Sequence, residues 1–219
     1  MRSQLLVGAV VLGTCLASSS ARADNPAPAE QPPPAAPERK GVGPLFGVKV
    51  GGLLPFSGLG PNAQVGVELG IVLPVLHRGL AIGVGVDYAQ PVTSGTTSDP
   101  RVVGGTYDWQ LKQQFLTFMP MILYRLTTLK VVTPFIGVGP RIYLMQSTVH
   151  GDAGAANIPD TTEVSTRVGV GVPLGVEFKL GPGGILAELL AQWGPYEHTA
   201  TGDTHTGALS LSVGYRLAM

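Results

Sequence analysis

Hydrophobic and polar residues alternate strictly along residues 164–180. Even-numbered positions carry valine, leucine, phenylalanine or threonine, while odd-numbered positions carry glycine, proline, serine or a charged residue. A β-strand projects alternate side chains to opposite faces, so this segment predicts a strand with one apolar face and one small or charged face. The segment is also longer than most strands of soluble proteins.

Seven further segments repeat this alternation, so the sequence predicts eight strands. They cover residues 45–54, 63–76, 80–90, 109–126, 132–148, 164–180, 185–197 and 208–219. Short connections alternate with long ones along the chain. The short ones are 77–79, 127–130 and 181–184, and the long ones are 55–62, 91–108, 149–162 and 198–206. This pattern predicts an all-β fold, an eight-stranded antiparallel up-and-down transmembrane β-barrel with periplasmic turns and termini and extracellular loops.

The N-terminal segment has the features of a secretory signal peptide. Arg2 precedes an apolar run over residues 5–16, and the segment ends in the small-residue site before Asp24. We expect cleavage after Ala23, because the apolar run is too short to span a bilayer. Acylation at Cys15 is the weaker alternative, since the residues before this cysteine do not follow the order of a lipoprotein signal.

Residues 24–43 contain six prolines among alanines and charged residues. Such a segment cannot bury a core, so we predict an extended periplasmic linker there and a barrel domain over residues 44–219. After cleavage at Ala23 the chain has no cysteine, which excludes a disulfide framework. The formal net charge is zero, so nothing indicates nucleic-acid binding.

Alternation alone leaves the direction of the apolar face open. A soluble lipocalin-like barrel would place it inside. The opposite face is rich in glycine and carries few charges, which makes a poor water-exposed surface but suits the narrow lumen of eight strands. We therefore predict that the apolar face points outward, toward lipid.

Aromatic residues fall near the ends of the predicted strands, where amphipathic rings prefer the level of lipid headgroups. We predict one girdle at the turn side, formed by Phe46, Tyr124, Phe135, Phe178 and Tyr215. The other girdle, at the loop side, is formed by Tyr88, Trp109, Tyr143, Trp193 and Tyr196.

The last strand alternates apolar residues from Leu209 to Leu217 and ends at Met219. It resembles the β-signal read by the barrel-assembly machinery, although that signal usually ends in an aromatic residue. Residues 45–219 as a whole resemble the eight-stranded outer-membrane β-barrels, the OmpA/OmpX-like and OmpW-like group. The resemblance implies the outer membrane of a Gram-negative bacterium, contact with outer-membrane lipid and lipopolysaccharide, and the assembly machinery as a partner. We expect a monomer.

The inward face carries ten charged residues. They are Lys49, Glu68, Asp87, Arg125, Arg141, Arg167, Glu177, Lys179, Glu188 and Arg216. Charges in a narrow lumen are costly unless they are paired or hydrated. We predict a plug of ion pairs, with Lys49 compensating both Glu68 and Asp87; a narrow channel for small or apolar solutes is the alternative.

The long connections contain His150, His198 and His205, with carboxylates nearby. Their spacing does not repeat, so we predict no metal site. A lipid A-modifying barrel enzyme is a weaker alternative, with His150 beside Ser147 as a conceivable pair, but a nucleophile, base and orienting group are not recognisable together. We therefore expect a structural or surface-interaction barrel without catalytic, cofactor or metal sites.

Overall fold

A computed structural model describes residues 41–100, 105–153, 156–196 and 204–219. The predicted signal peptide, residues 1–23, and nearly all of the predicted linker, residues 24–43, lie outside the described residues. The first strand begins at Gly43, one residue before the predicted start of the barrel.

The described chain folds into nine β-strands, which pair antiparallel with their neighbours. They are β1 (Gly43–Pro55), β2 (Asn62–Val72), β3 (Leu80–Ala89), β4 (Val92–Ser98), β5 (Thr106–Arg125), β6 (Val132–Ala153), β7 (Ala156–Leu180), β8 (Gly183–Trp193) and β9 (Ala208–Ala218). All except β4 form a closed wall, because β3 pairs with β5 and β1 pairs with β9. This confirms the predicted closed, eight-stranded antiparallel barrel.

Strand β4 lies in the segment predicted as the loop 91–108. It forms a hairpin with β5 from Val92↔Lys112 to Ser98↔Thr106 and does not enter the wall. The sequence 92–98 is mostly threonine and serine, so it lacks the alternation of apolar residues by which the other strands were recognised. The predicted long connection is therefore partly a strand, over Val92–Ser98.

Strands β6 and β7 continue well past the predicted boundaries. Their pairing runs from Val132↔Phe178 to Ala153↔Ala156, so most of the predicted loop 149–162 is strand. Together β4, β5, β6 and β7 form a four-stranded sheet at the loop side, which we call the loop-side sheet. Strand β8 pairs with β7 only from Val170 onward. Within the described chain, the earlier part of β7 therefore has a strand neighbour on one side only.

The connection from β2 to β3 is a tight turn with left-handed backbone. Strand β2 ends at Val72, earlier than predicted, and a single 3-10 turn covers Leu76–Arg78. All three residues of this turn have positive φ, from 49° to 61°, a region that is costly for non-glycine residues. The side chain of Arg78 donates hydrogen bonds to the main-chain oxygens of Gly41 and Met219. These bonds hold the turn against the first and last described residues of the polypeptide, which lie at the same side of the barrel.

The apolar face of the wall points outward. Val84 and Val170 are 39% and 40% exposed, whereas the alternating neighbours Gly85 and Gly171 are buried. The inner face carries the buried charges and a cluster of apolar side chains that includes Met119, Leu123 and Leu186. The barrel wall therefore has the predicted orientation, with its apolar face outward. No helix among the described residues is long and apolar enough to cross a membrane.

Four aromatic residues do not lie on the outer face as predicted. Tyr196 is buried at the loop side, where it packs in a cluster with Tyr143 and Met145. Phe135 and Tyr143 are buried in the lumen, because both share the inward parity of Arg141 on β6. Trp109 packs beside β4, where its indole nitrogen donates to the hydroxyl of Thr97. The outward positions instead hold Phe46, Tyr88, Tyr124, Phe178, Trp193 and Tyr215.

The hydrogen-bond ladder between β5 and β6 is interrupted in the middle of the wall. Pairing stops after Phe118↔Ile142 and resumes at Ile122↔Val138, and continuing this register places Pro120 opposite Pro140. Proline has no N–H to donate, so two facing prolines remove ladder hydrogen bonds from both strands. This site is a local weakness in the ladder between β5 and β6.

The outward direction of the apolar face can be tested with a spin label at Val170. We expect a Val170→Cys label to be protected from water-soluble relaxation agents and accessible to oxygen dissolved in lipid, because Val170 lies on the apolar outer face. A label at Val164, which is 74% exposed in the loop-side sheet, is the control and should show the opposite accessibility. Aqueous access at residue 170 would contradict the orientation.

Candidate functional site

Each strand of the barrel wall contributes one charged side chain to a single ion-pair network in the lumen. We call it the lumen network. Its members, in strand order, are Lys49, Glu68, Asp87, Arg125, Arg141, Glu177, Glu188 and Arg216. Four are cations and four are anions, so their formal charges cancel. The alternation of each strand explains why all eight point inward.

Lys49 connects three acids in the part of the network nearer Arg141. Its Nζ lies 2.6 Å from Glu188, 3.3 Å from Glu68 and 3.5 Å from Asp87. The predicted contacts to Glu68 and Asp87 are therefore present, but the shortest one, to Glu188 on β8, was not predicted. The backbone register pairs Lys49 with Gly66 and not with Glu68, so the lysine reaches Glu68 diagonally.

Gly66 makes room for this arrangement. A Cβ atom at this position would lie 2.9 Å from the Lys49 Cε and would overlap a carboxylate oxygen of Asp87. The glycine-rich character of the inner face, visible in the sequence, thus leaves space for long charged side chains to meet across the barrel.

Arg216 connects three acids in the part of the network nearer Arg125. Its guanidinium donates to Glu68 at 2.5 and 2.8 Å and to Glu177 at 2.7 Å, and it lies 3.6 Å from Glu188. The group is fully buried and stacks on the Phe135 ring, whose centroid is 4.4 Å away. Such burial is tolerated only because carboxylates surround the cation.

Arg125 and Arg141 complete the network at its two ends. Arg125 forms a bidentate pair with Glu177, with hydrogen bonds of 3.1 and 2.6 Å. Arg141 lies 2.8 Å from Asp87 and donates to the Thr117 hydroxyl at 2.7 Å. The result is a continuous chain of charge contacts that fills the middle of the lumen.

Two residues predicted for this network lie outside it. Arg167 is exposed on β7, above the point where β8 begins to pair, and its guanidinium lies over the Tyr196 ring. Lys179 is exposed at the turn side and donates to the Leu129 carbonyl. Both residues are on the same face of β7 as Glu177, because all three are at odd-numbered positions. Arg167 and Lys179 lie farther along the strand, however, beyond the closed part of the barrel.

Cavities lie on both sides of the lumen network. The loop-side cavity leaves about 30 Å³ for the centres of water molecules, and its lining includes Gln64, Gln113, Tyr143 and Gln192. The turn-side cavity offers about 170 Å³ by the same measure and is lined by Arg125, Glu177 and Arg216, among others. The sequence analysis did not identify Gln113 as an inward-facing residue, because Phe115 obscures the alternation of β5. Gln113 and Thr117 are both at odd-numbered positions of this strand, so their side chains point to the same face, and this spacing could have revealed Gln113.

A separate polar contact lies in the loop-side sheet. The imidazole Nδ1 of His150 is 2.6 Å from the carboxylate of Asp160, at a β-bulge between β6 and β7. This hydrogen bond and the negative charge of Asp160 raise the pKa of His150 above its ordinary value, although the imidazole is exposed to solvent.

No metal-binding cluster of three or more histidine, cysteine, aspartate or glutamate side chains occurs among the described residues. His198, which the sequence suggested as a loop histidine, lies outside the described residues. His205 lines the loop-side cavity and accepts a hydrogen bond from the backbone of Gly207.

Comparison with solved structures identifies the fold. Neisserial surface protein A shares 17% identity, with a TM-score of 0.50, over 82% of this chain and 99% of that protein. A major outer membrane protein from Thermus thermophilus shares 15% identity, with a TM-score of 0.51, over 80% of this chain and 98% of that protein. No family model and no curated protein matches the sequence. The chain thus has the fold of the eight-stranded outer-membrane β-barrels, as the sequence predicted.

Replacing Lys49 with methionine tests the importance of the lumen network. The substitution leaves Glu68, Asp87 and Glu188 less compensated inside the barrel, so we expect a loss of about 3–5 kcal/mol, typical of a broken buried ion pair. Urea unfolding of the protein in detergent measures this loss. Lys112→Met, at an exposed position on β5, is the control. Equal unfolding midpoints for Lys49→Met and the wild type would show that the network is dispensable.

The contact between His150 and Asp160 predicts a pH dependence confined to the loop-side sheet. The pKa of His150 is raised in the folded protein. The contribution of this contact to the stability of the folded state is therefore complete below about pH 6.5, the ordinary pKa of histidine, and it is lost as the pH rises through the folded-state pKa. An NMR titration of the imidazole should give a pKa above 6.5 in the wild type and a lower one in Asp160→Asn. An unchanged pKa in that variant would contradict the contact.

Proposed function

We propose that this protein is a small β-barrel of the outer membrane of a Gram-negative bacterium, with a structural or surface-interaction role. The observation that carries the proposal is the lumen network, in which all eight wall strands contribute a buried, compensated charge. An eight-stranded barrel has room for side chains in its interior and little else. The lumen network therefore serves stability, and the surfaces outside the barrel are available for interaction with other macromolecules.

The outer surface supports a membrane location. Apolar side chains such as Val48, Ile82 and Val138 are more than 40% exposed along the wall, which is costly in water and favourable in lipid.

We further propose that the turns and termini face the periplasm and that the loop-side sheet faces the outside of the cell, next to lipopolysaccharide. Strand β9, with outward Leu211 and Val213, is the proposed recognition element for the barrel-assembly machinery. We propose a monomer.

The loop-side sheet is the proposed interaction surface. Val164 and Val168 on β7 are 74% and 59% exposed, and β8 does not pair with this part of the strand. An exposed strand edge with β-branched residues can accept an extended segment of another polypeptide through main-chain hydrogen bonds. This fits a surface-interaction role better than an enzymatic one, and we propose that the protein is not an enzyme.

A narrow channel is the second candidate function. Two cavities favour a channel, one on each side of the lumen network. The side chains of the network separate these two cavities. Rearrangement of these side chains would join the two cavities into a thin file of water. Conductance measurements distinguish a plug from such a channel.

We expect the unmodified protein to show little or no conductance in planar bilayers. Arg141→Ala should raise the conductance, because this guanidinium fills the lumen beside the loop-side cavity, while Lys49 still compensates Asp87. Arg167→Ala is the matched control and should change nothing, since Arg167 lies outside the network. A large, stable conductance from the wild type would favour the channel.

Cells that display the protein can test the proposed interaction surface. We expect Val164→Lys to reduce adhesion to protein-coated glass, because an edge lysine opposes the addition of another strand. Thr128→Lys, at an exposed position in the turn between β5 and β6, serves as the control. Equal adhesion of both variants and the wild type would argue against the β7 edge as the surface involved.

A further inference from the structure

The loop-side cavity contains buried hydrogen-bonding atoms without a partner. Gln192 Oε1 is one and Arg141 Nε is another, and among the described residues neither atom has a hydrogen-bond partner. Both side chains line the cavity, and the two residues are only 8% and 2% exposed. Buried polar atoms are nearly always hydrogen-bonded, so this acceptor and this donor are available to a partner from outside the chain.

The backbone explains how these two side chains reach the same cavity. Gln192 on β8 is paired with Gly171 on β7, and Arg141 on β6 is paired with Gly169 on the same strand. Strand β7 therefore presents glycine at two successive inward positions between them. A Cβ at Gly171 would lie 2.7 Å from the Met119 sulfur, so a larger residue cannot take this place without displacing the lining of the lumen.

The other lining groups narrow the chemistry of the occupant. Asp87 and Arg141 neutralise each other at 2.8 Å, so the cavity favours neither a cation nor an anion. Gln64 and Gln113 add further amides, and Ser210 already donates to Gln64 at 2.8 Å. The aromatic rings of Phe115 and Tyr143 provide an apolar side. A hydroxyl group can donate to Gln192 Oε1 or accept from Arg141 Nε, so hydroxyl groups match both open atoms.

We propose that this cavity binds an uncharged, hydroxyl-bearing ligand, either a small polyol or the end of a sugar chain. Hydroxyl groups of the ligand donate to Gln192 Oε1 and accept from Arg141 Nε, while its carbon skeleton packs on Phe115 and Tyr143. The limited volume, about 30 Å³ for the centres of water molecules, admits a group that replaces a few waters and no larger body. This site does not depend on the proposed surface-interaction role of the loop-side sheet.

Saturation-transfer NMR on the full chain tests the proposal, in a detergent whose headgroup contains no sugar. Glycerol, glucose and maltotriose are the probes, and glucuronate and glucosamine are the charged counterparts. We expect saturable transfer to the neutral probes and weaker transfer to the charged ones. Glycerol binding without maltotriose binding identifies a free polyol as the ligand, and transfer to the end residue of maltotriose identifies a glycan end.

Gln192→Leu separates binding from folding. The side chain makes no hydrogen bond through Oε1 that the substitution could break, so the variant should unfold at the wild-type urea concentration. We expect it to bind the neutral probes about tenfold more weakly, the effect of losing about 1.4 kcal/mol. Gln146→Leu, at an exposed position on β6, is the matched control and should bind normally. The absence of saturable transfer to the wild type, or equal binding by Gln192→Leu, would overturn the proposal.

Discussion

The mutual compensation of buried charges across the lumen is the interaction on which this barrel depends. A guanidinium such as that of Arg216 is stable in a fully buried position only while Glu68 and Glu177 remain beside it. Those acids are in turn tolerated only beside their cations. The charges are therefore not separate pairs added to a finished fold, because each one makes the burial of the next possible.

The same constraint divides the molecule into an interior and an exterior with different tasks. Inside, glycines and charged side chains fit together so closely that a Cβ at Gly66 would collide with Asp87. Outside, an apolar surface covers the wall, and the loop-side sheet extends beyond it. The lumen network thus stabilises the barrel, whereas the exposed β7 residues Val164 and Val168 of the loop-side sheet lie outside that network.

Much of this architecture could be predicted from the sequence, because alternation determines which side of a strand a residue faces. The inward positions of Lys49, Glu68 and Glu188 follow directly from parity. Parity does not give the height of a residue in the barrel, which is why Arg167 was placed in the network although it lies above it. Nor does it give contacts across the lumen, such as Lys49 to Glu188, since these depend on the stagger of strands that are not neighbours.

The loop-side sheet was harder to predict for a different reason. Strand β4 and the outer parts of β6 and β7 carry few apolar residues, so their sequences contain no alternating signal. Their strand structure comes from pairing with a neighbour, and propensity alone cannot reveal which neighbour is present. The boundary of a membrane-spanning strand can be predicted from hydrophobicity, whereas the end of its hydrogen-bonded ladder cannot.

The position of Arg216 on the last strand of the barrel has a consequence for the order of assembly. Its carboxylate partners lie on β2, β7 and β8, so the first of these acids is made long before the cation that compensates it. Until β9 pairs with both β1 and β8, Glu68 has only Lys49 as a cationic partner within the network. Closure of the barrel therefore also completes the neutralisation of its interior. In a chain that has not closed, burying the uncompensated carboxylates would cost free energy, so these acids stay in contact with water.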